Sequence, residues 1–355
     1  MAYIEIYLDR IVNNAVHLKS LLDDHNIELV VVSKVTCGDP RIVSAILEKV
    51  KGIKIGESRV ENIERLHKAG INAETMLLRS PSSDKSERAL EHADTILVSE
   101  LSLLNMLIDK TGNRDNRFIY MVDTGDLREG VWFDHAFKEL KEAVGFAWEK
   151  LTGIGTNLGC YGGVKATQEK FNILIELGER IRKETGHVFQ YYSAGNTASL
   201  PLVESGECPK DINQFRLGES IICGTDATNN RIVPGTRQDT AILYGEIIEL
   251  KKKPSIPQGE IGRDAFGRKP EFTDKGWRWR AILDLGEQDV LPKSLKPIDS
   301  KLEILHASSD HLIIDVTESK DEYKIGDHIA LNMSYGALLR VMTSNYVKKV
   351  YLETR

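Results

Sequence analysis

The chain has 355 residues, 41% hydrophobic and 28% charged, enough apolar content for one large domain plus a smaller one. A formal charge of −6 argues against nucleic acid or an anionic membrane as partner, and no window approaches the roughly 18 uncharged apolar residues of a spanning helix. The four cysteines (Cys37, Cys160, Cys208, Cys223) form no CxxC pair, and the nine histidines show no HExxH or HxxxH spacing. With no signal-peptide pattern at the N-terminus, a cytoplasmic protein without a bound catalytic metal is expected.

An amphipathic helix is expected after Asp9, with Ile11, Val12, Ala15, Val16, Leu18, Leu21 and Leu22 on its apolar side. Residues 28–34, Glu-Leu-Val-Val-Val-Ser-Lys, then read as a buried strand of a parallel sheet tipped by Lys34. An ammonium at such a tip is costly unless it is paired or chemically used, and lysines placed there lose pKa and become available for Schiff-base chemistry. Asp39-Pro40 opens the next helix with a cap and a proline at its first position, and Ser58-Arg59-Val60-Glu61 has the pattern of a capping box. Further strands are expected at 53–56, 75–78, 95–98, 118–122, 153–158, 188–192 and 214–217, with the clearest helices at 137–148 and 167–183. Eight strands in roughly 230 residues have the rhythm of a (β/α)8 TIM-type barrel, assigned to residues 1–235. A doubly wound open sheet is the alternative, weakened by the lack of GxGxxG after the first strand. Residues 236–355 read as a smaller, mostly β domain with strands at 241–250, 278–285, 302–306, 311–316 and 328–333 and no long helical period before Ala337.

In such a barrel the C-terminal strand ends build the active site. Here they carry Lys34, then Asp123-Thr124-Gly125-Asp126-Leu127-Arg128-Glu129-Gly130, Thr156-Asn157-Leu158-Gly159-Cys160, Ser193-Ala194-Gly195-Asn196-Thr197 and Arg216-Leu217-Gly218-Glu219-Ser220. Small residues and hydroxyls after the last two strands suit a backbone-lined phosphate cradle. A reactive lysine, a phosphate cradle and two arginines together suggest pyridoxal 5′-phosphate held as a Schiff base. A Schiff-base sugar-phosphate aldolase competes, but its lysine would be expected later in the barrel.

These segments resemble the alanine racemase family of pyridoxal-phosphate enzymes. Val-Val-Val-Ser-Lys is similar to its cofactor-lysine strand, Asp-Thr-Gly-Asp-Leu-Arg-Glu-Gly to its DTGxxRxG motif, and Phe-Arg-Leu-Gly-Glu to its pyridine-binding arginine and phosphate-binding glycine. Residues 307–316 resemble its CMDxxxxDV stretch. Asp-Leu-Arg-Glu-Gly, residues 259–267 and Ala-Ser-Ser-Asp-His resemble the ornithine racemase branch most. The resemblance implies a racemase that interconverts L- and D-amino acids by two-base proton transfer at Cα, with ornithine or a related basic amino acid as substrate. Alanine or a broader set of amino acids is the alternative substrate range. A D-amino-acid lyase of the same architecture or a cofactor carrier would be other outcomes, and the carrier reading is disfavoured by the second domain.

By resemblance Lys34 carries the cofactor and serves one face of the substrate. Arg216 faces the pyridine nitrogen, Thr197 with the backbone of Gly218 and Glu219 holds the phosphate, and Arg128 lies near the cofactor hydroxyl and the substrate carboxylate. Asn157 stands where the family stacks a histidine on the ring, and Met121 where it has a carbamate-bearing lysine, a loss for which Asp126 could compensate. The family's second base is a tyrosine in a Ser-Tyr-Gly turn. Its place along the chain is taken by 263–267, without tyrosine, so Tyr335 of Ser334-Tyr335-Gly336, Asp264 and Cys160 are the candidates, with Tyr335 favoured. Asp126, Asp264 and Asp310 are candidates to pair with a distal substrate ammonium. A homodimer with shared active sites is also implied.

Overall fold

The computed structural model describes residues 1–353. They divide into two compact units: Arg10–Gln238, and Met1–Asp9 together with the chain from Asp239 onward. The chain begins with a strand the sequence reading did not mark, β1 (Tyr3–Tyr7), in which Ile4 and Ile6 are buried. Its period-2 pattern is too short to stand out against the helix that follows directly, α1 (Leu8–Asp23).

Arg10–Gln238 is a closed parallel barrel. Its strands are β2 (Glu28–Val32), β3 (Lys54–Glu57), β4 (Thr75–Leu77), β5 (Thr95–Val98), β6 (Arg117–Asp123), β7 (Leu151–Gly155), β8 (Tyr191–Gly195) and β9 (Gln214–Leu217). Each pairs in parallel with the next, and β9 pairs with β2 to close the ring. The principal connecting helices are α2 (Pro40–Lys49), α3 (Val60–Lys68), α4 (Ser86–His92), α5 (Leu101–Thr111), α6 (Phe133–Ala147) and α7 (Gln168–Thr185). Val30, Met76, Leu97, Ile119, Met121 and Tyr191 form one buried cluster. Each fully buried aliphatic side chain there stabilises by about 1.5–3 kcal/mol. Gly155 keeps this wall close: a Cβ on it would lie 2.8 Å from the Ser193 carbonyl oxygen and 3.0 Å from Met121 Sδ.

Of the two helix starts marked by capping patterns in the sequence, one forms as expected and one does not. Asp39 caps α2, its carboxylate accepting from Arg41 N at 2.9 Å, with Pro40 at the first position. The expected capping box at Ser58 does not form, because α3 starts at Val60 with Arg59 as its uncapped first flank. The carboxylate of Glu57, one residue earlier, instead takes the Ser58 N–H at 3.3 Å and the Asn62 amide at 2.9 Å.

The second unit is an antiparallel sheet in the order β12 (Leu295–Pro297), β15 (His328–Met333), β10 (Ala241–Pro254), β11 (Trp277–Leu283), β14 (Leu312–Asp315), β13 (Glu303–Ala307). β1 joins it, antiparallel to β10 and parallel to the last strand, β16 (Lys348–Leu352). The turn at Ser334 leads into one helix, Tyr335–Thr343. Among the described residues no helix is long and apolar enough to cross a membrane.

Candidate active site

Lys34 follows β2 in a single 3-10 turn, Lys34–Thr36, from which the chain reverses through Cys37 (φ 56°) and Gly38 (φ 58°). A cysteine in that left-handed region costs of order 1 kcal/mol, strain of the kind stored beside functional groups. The ammonium is partly buried and has no hydrogen-bond or ion-pair partner among the described residues. Burial and the nearby Arg128 charge push its pKa down, against weaker pulls from Cys160, Glu129 and Glu57. A desolvated, unpaired amine is the form that can act as nucleophile or base.

Behind it lies a residue that sequence reasoning missed. Glu57, at the end of β3, is fully buried and accepts the Ser33 hydroxyl at 2.6 Å besides the Asn62 and Ser58 donors. Burial raises its pKa, while these donors and Lys34 pull it back. Its only sequence signal was an acid closing a strand, a pattern shared with many solvated ones.

The loop after β6 carries Arg128. Asp123 Oδ1 accepts the Gly125 N–H at 2.7 Å, Leu127 is left-handed (φ 58°), and Gly130 (φ 115°) lets the chain fold back. A Cβ on Gly130 would stand 2.6 Å from the Asp123 nitrogen. Arg128 is held by the Glu129 carboxylate, whose same oxygen accepts the Asn157 amide at 3.1 Å. Asn157 in turn accepts from Asn196 at 2.9 Å, so the loops after β6, β7 and β8 are tied together at this rim.

Asp126 has a different task from the expected one. It is 1% exposed, and its carboxylate accepts the backbone N–H groups of Cys160 (3.1 Å), Tyr161 (2.8 Å) and Val164 (3.0 Å). Its charge organises the loop after β7 rather than meeting a substrate or Arg128; Glu129 does the latter. Met121 lies within the apolar barrel cluster. Asp126→Ala removes three charge-assisted bonds and should destabilise the protein by about 3 kcal/mol, read as a lower denaturant midpoint. Asp126→Asn, which keeps one acceptor oxygen, should lose less.

At the far rim Thr197 Oγ1 and Ser220 Oγ are 3.0 Å apart, and the Ser220 N–H donates to Thr197 Oγ1 at 3.2 Å. Gly218 packs on β2, where a Cβ would lie 3.1 Å from the Val32 carbonyl oxygen. The Glu219 side chain turns away to Thr225 Oγ1 (2.8 Å) and Ala227 N (3.0 Å). Arg216, 6% exposed, donates from Nη1 to the carbonyl oxygen (2.6 Å) and hydroxyl of Ser193, and from Nη2 to the Thr156 carbonyl oxygen (2.6 Å). Burial lowers its pKa to about 10, which leaves it cationic at neutral pH. Arg128, Glu129 and Cys160 lie within electrostatic reach of both Lys34 and Arg216. Burial raises the Cys160 thiol, against the pull of Arg128 and Lys34.

Asp264, Asp310 and Tyr335 belong to the other unit. Partial burial of Asp264 is outweighed by Arg268 and two backbone amides, which hold its carboxyl below the usual range; Arg268 lies at 2.7 Å and His306 at 3.4 Å. Asp310 accepts the Ser308 and Ser309 hydroxyls at 3.3 and 3.1 Å and pairs with His311 at 3.2 Å. Tyr335 is partly exposed and opens the Tyr335–Thr343 helix.

Comparison with known proteins bears on this arrangement. The alanine racemase N-terminal domain family matches residues 6–225. The chain is 44% identical over 348 residues to a lysine racemase of Thermotoga maritima, covering 98% of this chain and 97% of that one. It is 40% identical over 352 residues to an ornithine racemase of Acetoanaerobium sticklandii, covering 98% and 99%. Among solved structures, alanine racemase from Streptomyces lavendulae superposes with a TM-score of 0.74 at 19% identity, covering 100% of this chain and 97% of that one. Alanine racemase from Bartonella henselae, with covalently bound pyridoxal phosphate, does so at 0.72 and 18%, covering 99% of each chain.

Proposed function

The chain belongs to the alanine racemase family and is an amino-acid racemase, and from that premise we propose that it acts on basic amino acids, ornithine or lysine, with pyridoxal 5′-phosphate carried on Lys34. The observation that carries the site assignment is the unpaired, desolvated amine of Lys34 on the rim that also holds Arg128, Arg216 and the Thr197–Ser220 hydroxyls. The donor set fits the cofactor: an amine for its aldehyde, hydroxyls and the N–H groups of Gly218 and Glu219 for its phosphate, and a permanent cation for its ring nitrogen. When bound, the cofactor supplies an electron sink that makes the substrate Cα–H acidic.

The chain's own residues then have separable tasks. Arg128, steadied by Glu129, binds the substrate carboxylate. Asn157 and Asn196 hold that arginine's support in place. Lys34 Nζ takes or returns the Cα proton on one face, helped by a pKa below that of a solvated lysine. For the opposite face the proposal is Tyr335. Asp264 is already committed to Arg268 and two amides, and desolvation of the thiol pushes the Cys160 pKa up from its ordinary value. The proposal of a basic side chain is supported by the two relatives, a lysine and an ornithine racemase, and Asp310 is the acid proposed to meet its distal ammonium. A homodimer is part of this reading and is tested by sedimentation equilibrium.

The test is an absorbance spectrum of purified protein with cofactor, followed by optical rotation with L-ornithine, L-lysine and L-alanine. Rotation decaying to zero for a basic substrate, with a cofactor band absent from Lys34→Ala, supports the proposal; racemisation of alanine alone overturns its substrate part. Asp310→Asn should raise KM for ornithine roughly tenfold while leaving kcat nearly unchanged.

A further inference from the structure

The barrel interior is not uniformly apolar. From Arg216 a line of polar side chains runs across four neighbouring strands. The Ser193 hydroxyl on β8 donates to Gln214 Oε1 on β9 at 2.7 Å, and Gln214 Nε2 donates to Glu28 Oε1 on β2 at 3.0 Å. Glu28 Oε1 is 2.9 Å from Lys54 Nζ on β3. Lys54 also reaches Glu74 at 3.1 Å and donates to the Tyr191 hydroxyl at 2.9 Å, and Arg117 meets Glu74 at 2.7 Å. Strand pairing sets this line: Gln214 is in register with Glu28 on one side and Ser193 on the other, and Lys54 with Val30. Ser193 and Gln214 are wholly buried and Lys54 is 7% exposed. Buried polar chains of this kind are expensive unless every member is satisfied.

The direction of the bonds follows from elementary chemistry. The Glu28 carboxylate can only accept, so the Gln214 amide must turn its NH2 toward it and its oxygen toward Ser193. That oxygen takes the single Ser193 hydroxyl proton. Ser193 Oγ is left able only to accept, and the donor it accepts from is Arg216 Nη1. Burial pulls the Lys54 ammonium down, but hydrogen bonds with Tyr191 and Glu28 and the nearby carboxylates outweigh it and keep the anchor charged.

We propose that Gln214, oriented by the Glu28–Lys54 pair, is a positioning residue that fixes Ser193 as acceptor and so sets the orientation of the Arg216 guanidinium. The inference rests on the reading above that Arg216 faces the cofactor ring. In this protein a residue at the opposite end of strand β9's short run thus controls how a cation is presented to the cofactor, without touching cofactor or substrate.

Two variants test it on the holoenzyme. Gln214→Met keeps the volume and removes both bonds. Its kcat/KM should fall roughly 10–100-fold, and the pH midpoint at which the bound cofactor's absorbance changes should move. Gln214→Glu is the conservative partner. A protonated carboxyl can still donate to Glu28 and accept from Ser193, whereas the ionised form faces Glu28 with like charge. This variant should therefore regain activity at low pH and lose it through a new ionisation as pH rises, a limb absent from the wild-type profile. A purely structural role would lower the melting temperature of both variants while leaving the spectral midpoint and profile shape as in wild type; that result overturns the proposal. If Gln214→Met does not fold, the pH profile of Gln214→Glu decides alone. Failure of the underlying reading looks different: wild type itself would then show no Lys34-dependent cofactor band.

Discussion

Lys34→Ala eliminates racemisation, with kcat/KM falling by at least about 10⁴-fold, because one substitution removes both the cofactor's anchor and one of two proton-transfer groups. The residual protein should bind cofactor only reversibly and lose its absorbance band. A second readout separates function from folding. The Lys34 ammonium is disfavoured in the folded protein, by burial first and by Arg128 next. Its folded pKa therefore lies below its unfolded one, and in that interval the unfolded chain binds the extra proton. Stability contributed by this group rises as pH climbs from the folded to the unfolded pKa, and the penalty is fully present below both. The cofactor-free Lys34→Met protein should accordingly be more stable than cofactor-free wild type at neutral pH, measured by denaturant titration. Equal or lower stability would mean that the amine is not strained by its site. Retained activity would remove Lys34 from the chemistry altogether.

Arg216→Lys is the second large effect. The charge survives, but the fork that reaches Ser193 and Thr156 together does not. Removing one preorganised donor from a catalytic site costs about 10²–10³ in kcat, and the same order is expected here. The two carbonyl oxygens and the Ser193 hydroxyl lose their donor in a dry setting, which should lower the stability of the cofactor-free protein by about 1–3 kcal/mol. A variant within threefold of wild type in kcat would show that the guanidinium's shape is unused. Comparison with the Gln214 variants then orders the effects, since direct loss of the fork must exceed loss of its orientation.

Much of this architecture was legible in the sequence because parallel strands buried on both faces read as short apolar runs. Residues 95–98 and 214–217 stood where expected, and the run 28–34 holds a strand over its first five residues, Glu28–Val32. Ends were less legible: 153–158 and 188–192 were displaced from the observed Leu151–Gly155 and Tyr191–Gly195, where glycine and serine blur the apolar pattern. β1 was missed because its pairing partners lie more than 230 residues away, a relation no local pattern contains. At the site, Lys34, Arg128 and Arg216 were marked by their positions at strand ends. Asp126 and Glu129 flank the same motif and are both acids, but only backbone geometry reveals that the first binds three amides and the second holds the arginine. Glu28, Lys54 and Gln214 each open a strand, where a polar residue usually faces solvent, so the network that joins them had no sequence signature.

The placement of β1 matters for how the chain is made. Tyr3–Tyr7 is synthesised before the whole barrel segment, yet it pairs with Ala241–Tyr244 and with Lys348–Leu352, which are synthesised after that segment. The barrel segment 10–238 can close while synthesis continues, but β1 waits as an unpaired edge until β10 has been made, and lacks its second neighbour until β16 follows. An arrest before residue 348 would leave that strand with only one of its neighbours. The sheet of the second unit is thus finished only once residues 348–352 are available, and a chain cut before them carries an exposed edge open to aggregation.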